Sequence, residues 1–298
     1  MYTHDSLHAS VGVAIPTLNA EQSIGALIES LKRQTVKPDE ILVIDSASND
    51  QTVSEARSHG ASVTVINRAA FNHGLTRHQA VLKLPYDYVL FLTQDAMPAN
   101  DQYIEKLIKP LIQNEHIAIS SGRQIPKPDA RRFEQLVREF NYPPASFVRD
   151  RSDLSRLGIK TYFASDVCSA YPRKIYMKLG GFDECNTNED MLMAAKCINA
   201  GYSIAYAADA KVIHSHNLSI RAQFKRNKEI GHFLKSHQQM FNKTSELHEG
   251  KRMFSFIAST LIRERRPLEF IRFVCDCGAR FLGNRFGRIQ SRNRQVID

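Results

Sequence analysis

The stretch LFLTQDAMPAN, residues 90–100, decides how this sequence is read. An apolar run ends in one carboxylate, Asp95, and a Met-Pro break follows it. With the residues before it, DYVLFLTQD (87–95) has the length and composition of a buried strand. A strand that ends by handing one acid to a loop suits an open sheet, whose ligands bind beyond the carboxyl ends of its strands.

The flanking sequence repeats that pattern. VGVAIPT (11–17), EILVIDSAS (40–48) and SVTVIN (62–67) read as strands. Between them EQSIGALIESLKRQ (21–34) places Ile24, Leu27, Ile28 and Leu31 at helical spacing, QTVSEARSHG (51–60) ends on Gly60, and TRHQAVLKL (76–84) is helical. Strands alternating with helices predict an α/β fold: a mostly parallel sheet flanked by helices. Polar residues gather where the strands stop: Thr17 and Asn19, then Asp45, Ser46, Ser48 and Asp50, then Asn67, then Asp95. Any one of these loops reads equally as a turn or helix cap. Four in succession predict a shared binding edge.

The sequence has no GxGxxG after the first strand and no GxxxxGK[ST]. Phosphates at this edge would therefore lack a glycine-rich cradle, and a metal ion is the natural substitute. Further along, GRQIPKPDARRFEQLVREFNYPP (122–144) reads as a Pro-bounded helix, and GGFDECNTNEDMLMAAKCINAGYSIAYAADAKVIHSH (180–216) runs from a glycine turn through an acid pair and a helix to a strand. His214 and His216, two apart on an extended segment, face the same way.

Composition bounds the rest. The 298 residues are 43% hydrophobic and 24% charged, the balance of a folded chain rather than a disordered one. No segment reaches the ~18 apolar residues of a membrane-spanning helix, and MYTHDSLHAS (1–10) lacks the basic-then-apolar order of a signal peptide. The five cysteines, Cys168, Cys185, Cys197, Cys275 and Cys277, are scattered and read as reduced thiols in a cytosolic protein. The net charge is +9, and residues 251–298 hold eleven Lys/Arg against four Asp/Glu, or +7. Such a tail wants an anionic partner.

Five motifs occur in a fixed order: VAIPTLNAEQSIGALIESLKRQT, EILVIDSASNDQT, FNHGLTRHQA, YVLFLTQDAMP and GGFDECNTNEDMLMAAKCINAGY. In that order the chain resembles the inverting glycosyltransferases of family 2, which have a GT-A fold. FNHGLTRHQA, FLTQDAMP, GRQIPKPDARRFEQLVREFNYP, SDVCSAYPR and AKVIHSHNLSIRAQFKR narrow the resemblance to bacterial rhamnosyltransferases that build O-antigen and other surface polysaccharides.

The resemblance implies roles. Thr93-Gln94-Asp95 stands where the family has a DxD-type motif, so Asp95 is the implied ligand of Mg2+ or Mn2+ bridging a sugar-nucleotide diphosphate. His214, which follows Asp190 by 24 residues, and His216 are the further metal candidates. In NED (188–190), Asp190 is the implied catalytic base, with Glu189 holding position beside it; adjacent acids also serve as plain helix caps. Pro16, Thr17, Asn19, Asp45, Ser46, Asn72, Gly74, Arg77 and Gln94 join Asp95 in the implied nucleotide-sugar site. Arg77 pairs with base or diphosphate in that reading, or is a solvated helix charge. Arg123, Gln124, Asp166 and Arg173 are candidates for the donor or acceptor pocket.

The expected organisation is a GT-A catalytic domain over residues 1–235 and a helical, basic extension over 236–298. In the extension Phe270, Phe273 or Val274, Cys277 and Phe281 form an apolar stripe, with Arg272, Asp276 and Arg280 on another face. That stripe packs on the catalytic domain, lies on anionic lipid or makes a homo-oligomer. The leading expectation is transfer of L-rhamnose from dTDP-L-rhamnose to a glycan or lipid-linked acceptor, in the cytoplasm at the inner face of the membrane. A UDP-hexose donor, or a non-catalytic nucleotide-sugar or glycan-binding module, are the alternatives. No nucleic-acid partner is expected, because no recognition helix carries interleaved basic and stacking residues.

Overall fold

The structure is a computed structural model and describes residues 9–241 and 247–294. The segment read for a signal peptide lies outside these for its first eight residues. Four strands form the parallel half of one sheet: β1 (Val11–Thr17), β2 (Glu40–Asp45), β3 (Ser62–Val65) and β4 (Tyr88–Leu92), in the order β3-β2-β1-β4. Strand residues alternate between two cores, as the two-residue period requires. Val11, Val13 and Ile15 of β1 face one side, where α1 (Ile24–Lys32) sets Ile24, Leu27, Ile28 and Leu31 against them. Ala14, Leu42, Ile44, Val89 and Phe91 face the other, under Ala80 and Val81 of α3 (His73–Lys83). The short α2 (Thr52–Ser58) ends at Gly60, which takes a left-handed φ of 76°.

Beyond β4 the sheet is mixed. The remaining strands are β5 (Met97–Pro98), β6 (Ile117–Ile125), β7 (Phe147–Arg149), β8 (Cys168–Pro172) and β9 (Ser203–Ile213). β8 inserts antiparallel between β4 and β6, β6 and β9 run parallel, and β5 and β7 lie antiparallel on β9. The parallel expectation therefore describes the first half of the chain. The register of β6 on β9 slips between Gly122 and Arg123, so that Gly122 meets Ala207 and Arg123 meets Lys211. The extra residues bend β9 and carry its last residues toward Asp95. Residues 122–125, read above as part of a helix, belong to β6; the helix is α5 (Arg132–Asn141).

The other helices are α4 (Tyr103–Gln113), α6 (Leu154–Leu157), α7 (Arg173–Lys178), α8 (Glu189–Asn199), α9 (Ile220–Ser236), α10 (Leu247–Arg263) and α11 (Pro267–Arg294). α4 packs on the α1 side of the sheet and α8 on the α3 side. The predicted stripe of α11 divides. Phe273 is buried against Phe133, Leu136, Ile257 and Leu261, with Phe270 and Cys277 alongside, whereas Val274 and Phe281 stay exposed. No described helix is long and apolar enough to cross a membrane.

α9 and α11 touch backbone to backbone because glycine allows it. A Cβ on Gly231 would overlap the Asn284 carbonyl, and one on Gly287 the Lys228 carbonyl, while one on Gly278 would meet open space. Gly287→Ala is therefore expected to destabilise the fold by about 1–3 kcal/mol, and Gly278→Ala to stabilise it by roughly 0.5–1 kcal/mol. Thermal unfolding of the two variants checks this; equal effects would mean that the helices are not in this close contact.

Candidate active site

The site is assembled at the carboxyl ends of β1, β2 and β4. Asp45 closes β2 and is fully buried. Its Oδ1 accepts from the Ser48 N–H at 2.8 Å, and its Oδ2 from the hydroxyls of Thr17 at 3.0 Å and Ser48 at 2.5 Å. Asn19 takes a left-handed φ of 52°, which asparagine tolerates. Its N–H donates to Ser48 and its Oδ1 accepts from Asn49. Ser46 N–H donates to the Thr17 carbonyl. Pro16 ends this strand beside Thr17, so the first two loops form one hydrogen-bonded wall. Gln94 joins it to β4: the Leu18 N–H donates to Gln94 Oε1 at 2.7 Å, and Gln94 Nε2 donates back to the Leu18 carbonyl at 3.1 Å.

Asp95 follows Gln94 and faces both histidines. His214 Nε2 lies 3.5 Å from one carboxylate oxygen, His216 Nε2 lies 3.4 Å from the other, and Lys127 Nζ stands 3.9 Å away. One ligand atom from each of Asp95, His214 and His216 falls within 4.8 Å of the others. The donor set fits a divalent cation. His214 Nδ1 pairs with Gln124 Oε1 at 3.0 Å, which fixes that ring nitrogen as donor and leaves Nε2 as acceptor. Gln124 is in turn held by Ser165 and by Arg138. Burial lowers the pKa of His214 against the pull of Asp95, so the ring stays neutral. Burial and His214 push His216 down to about 4. Partial burial raises the Asp95 carboxyl, but the facing His214, His216 and Lys127 outweigh it and hold it well below the usual range.

A second cluster holds the acids. Arg77 is buried, with Nη1 3.1 Å from Glu189 and Nε 3.5 Å from Asp166. Asp166 Oδ1 accepts from the Ser169 hydroxyl at 2.5 Å and the Tyr171 hydroxyl at 2.7 Å. The Asp166 N–H donates to Asp190 at 3.2 Å, and the Met191 N–H to its other oxygen at 2.7 Å. Asn188, just ahead of the pair, has a left-handed φ of 58°. Burial, then the charges of Glu189 and Asp166, raise the pKa of Asp190 well above the carboxylate norm. Burial lifts Asp166 to about 6 despite Arg77. Burial opposes the charge of Arg77, yet Glu189 and Asp166 carry its pKa above the ordinary value.

A strand-end wall, an Asp-His-His cluster and a raised carboxylate thus share one edge. The model of Glycosyl transferase family 2 matches residues 12–180, over half of the chain. The chain belongs to this family. The transferase is 38% identical over 286 residues to O-antigen chain rhamnosyltransferase RfbN of Salmonella typhimurium, covering 93% of this chain and 89% of that protein. It is 35% identical over 287 residues to O-antigen chain rhamnosyltransferase WbaN of Salmonella anatum, covering 94% and 89%. Its fold is similar to that of mannosyltransferase PcManGT from Pyrobaculum calidifontis, solved with GDP-Man and Mn2+, at a TM-score of 0.63 and 14% identity over 92% of this chain and 85% of that one. Glucosyl-3-phosphoglycerate synthase from Mycobacterium tuberculosis, solved with Mn2+, UDP and glucosyl-3-phosphoglycerate, gives 0.53 and 19% over 76% and 79%. The transferase thus has the GT-A fold expected of it.

Several predicted residues sit elsewhere than their expected roles. Arg77, read for base or diphosphate or as a solvated charge, is buried among the acids. Asn72 caps α3 through Leu75 and also accepts from the Cys185 N–H at 3.1 Å, while its amide donates to Asn186. A Cβ on Gly74 would overlap the Asp183 carbonyl. Both therefore dock α3 onto the 183–186 loop ahead of the acid pair. Gln124 backs His214, and Arg123, its neighbour in β6, points to the other face of the strand. Arg173 is displaced furthest. Because β8 runs antiparallel to β4, Pro172 pairs with Tyr88 at the amino end of β4, where the Arg173 N–H donates to the Asp87 carbonyl. Lys127, Arg138 and His73, which lies 3.8 Å from Glu189, went unpredicted. Only tertiary packing brings them here.

Asp166 gives a pH test. Its pKa in the fold, about 6, lies above its ordinary 3.8. Between those values the folded chain keeps a proton that the unfolded chain has lost, so stability falls as pH rises through the window. Asp166→Asn is expected to flatten the Tm profile there, as followed by calorimetry. An unchanged slope would show that another group titrates. Gln94→Glu cannot donate to the Leu18 carbonyl and, because that bond is open to solvent, is expected to lose about 0.5–1.5 kcal/mol of stability in thermal unfolding, without tighter binding of Mn2+ by calorimetry.

Proposed function

We propose that the transferase moves L-rhamnose from dTDP-L-rhamnose, with inversion at the anomeric carbon, onto a growing bacterial surface glycan. The observation that carries this reading is the pairing, at one sheet edge, of the Asp95-His214-His216 cluster with the raised carboxylate of Asp190. The likeness to two O-antigen rhamnosyltransferases along nearly the whole chain supports the sugar.

Thr17, Asn19, Asp45 and Ser46 form the wall for the nucleoside. Asp45, fully buried, braces that wall by accepting from Thr17 and Ser48. Asp95, His214 and His216 hold the cation, and two imidazole nitrogens favour Mn2+ over the harder Mg2+. When bound, that ion offsets charge on the departing diphosphate. Lys127 adds positive charge beside it. Asp190 takes the proton of the acceptor hydroxyl as that oxygen attacks, and its raised pKa makes it the stronger base. Glu189 and Asp166, both leaning on Arg77, keep it in place.

Residues 1–235 form the catalytic unit in this reading, and 236–298 an extension that rests on the inner face of the cytoplasmic membrane. Exposed Leu268, Ile271, Leu282, Phe286 and Ile289 on α11, with exposed Arg272 and Arg285 near them, support such a peripheral contact.

Asp190→Asn is expected to lower kcat by about 10²–10⁴ with donor binding kept. In the wild type kcat falls as pH drops, because Asp190 gains its proton at a higher pH than an ordinary aspartate does. Asp95→Ala is expected to abolish the metal-dependent part of donor binding. Calorimetric titration with dTDP-rhamnose and UDP-glucose, each with Mn2+ and with chelator, tests the donor: tighter binding of the UDP sugar would overturn rhamnose and leave the transferase. Full turnover by Asp190→Asn would remove the base.

A further inference from the structure

The basic side chain nearest Asp95 is mounted on a fixed backbone. In IPKPD (125–129) Lys127 stands between Pro126 and Pro128. Pro126 fixes its own φ, and Pro128 keeps Lys127 out of the helical region. β6 and β9 end together, with Ile125 opposite Ile213, and the two chains leave the sheet side by side. The His214 N–H donates to the Ile125 carbonyl at 2.8 Å. The Lys127 N–H donates to the Ser215 hydroxyl at 3.0 Å, and the Ala130 N–H to the Lys127 carbonyl at 3.0 Å. Ser215 is buried and stands between the two histidines in sequence. The backbone at Lys127 is thus tied to the turn that carries His214 and His216.

The side chain is not tied. Its Nζ lies 3.9 Å from Asp95 Oδ2 and has no hydrogen-bond partner among the described residues. Lys127 is 36% exposed and Asp95 27%, and so open a pair contributes little to stability. Stability therefore does not account for the mounting. Arg138, close by, is already engaged by Glu134 and Gln124.

The charges of Lys127 and Asp95 cancel. Imidazole ligands are neutral, so a divalent ion at the cluster would add two positive charges beside the ammonium. Like charges that close repel, and least of the repulsion is screened where water is scarce. A sugar-nucleotide diphosphate carries one negative charge on each phosphate and returns the sum to zero. Lysine suits this exchange, because its compact charge rides on a flexible stem.

We propose that Lys127 makes cation binding conditional on the diphosphate. It works against the ion alone, and it turns to the diphosphate when ion and donor arrive together. The inference rests on the transferase reading, and adds to it how the site is loaded: with ion and diphosphate as a pair, not with the ion first.

The test uses the full chain and two titrations. Electron paramagnetic resonance of free Mn2+ measures the ion alone, and calorimetry measures dTDP at saturating Mn2+. Lys127→Met is expected to bind Mn2+ alone about threefold or more tighter than wild type, and dTDP with Mn2+ about tenfold weaker. Lys127→Arg keeps the charge and is expected to stay near wild type in both. The opposite signs are the signature of the conditional role. Weakening of both by Lys127→Met would overturn it, because Lys127 would then only support the cluster. Tighter Mn2+ with dTDP unchanged or tighter would overturn it as well, since the ammonium would not reach the diphosphate. No change in either titration also overturns it. The donor reading fails in a different way: dTDP would not bind wild type at any Mn2+ concentration, whatever Lys127→Met does to Mn2+ alone.

Discussion

The site depends on one buried cation. Arg77 sits between Glu189 and Asp166, side chains separated in sequence by about a hundred residues from it. Three carboxylates gathered at one strand edge would repel each other, and burial would make each of them costly. The guanidinium offsets two of them and leaves Asp190 as the one that carries the strain. Removing Arg77 would leave buried charge without compensation, a loss larger than that of any surface ion pair. The raised pKa of Asp190 is thus a product of the whole arrangement, not of its own surroundings alone.

The backbone prepares that arrangement. Asn72 and Gly74 clamp the start of α3 to the 183–186 loop, which sets Arg77 one turn further along. The same clamp fixes where α8 begins, and Asn188 in its left-handed conformation turns the chain so that Glu189 and Asp190 open the helix. Asparagine adopts that conformation readily, and here it lies directly ahead of the acids. On the other side of the edge, the slip between β6 and β9 brings Gln124 under His214. A left-handed asparagine thus precedes the acids, and a bulged strand sets Gln124 beside His214.

This division explains what the sequence revealed. Strands with period two and helices with period 3.6 are local patterns, and α1 buries the four residues its spacing named. The nearness of His214 and His216 was legible for the same reason, because alternation along an extended segment puts them on one side. Arg77 was not legible. Its neighbours within the helix say nothing about Glu189 or Asp166, and a basic residue after a helix start reads as naturally toward phosphate. Arg173, a pocket candidate by resemblance, lies away from this edge because β8 is antiparallel and ends beside the amino end of β4. The same holds for β6, whose residues 122–125 gave no alternation clear enough to separate them from the helix that follows.

The amide at Gln94 can now be understood in the same terms. A second acid there would add negative charge beside Asp95 and could not donate to the Leu18 carbonyl. Glutamine both donates and accepts, so it ties the β1 loop to the β4 loop with a matched pair of bonds. Facing Asp95 instead are the two imidazoles that follow β9, each with its pKa lowered by burial. The chain thereby separates two tasks: Gln94 ties the β1 loop to the β4 loop, and Asp95, faced by the histidines and Lys127, sets the charge beside them. Because one task is solved by a neutral hydrogen-bonded pair and the other by a single carboxylate, neither depends on the protonation of the other.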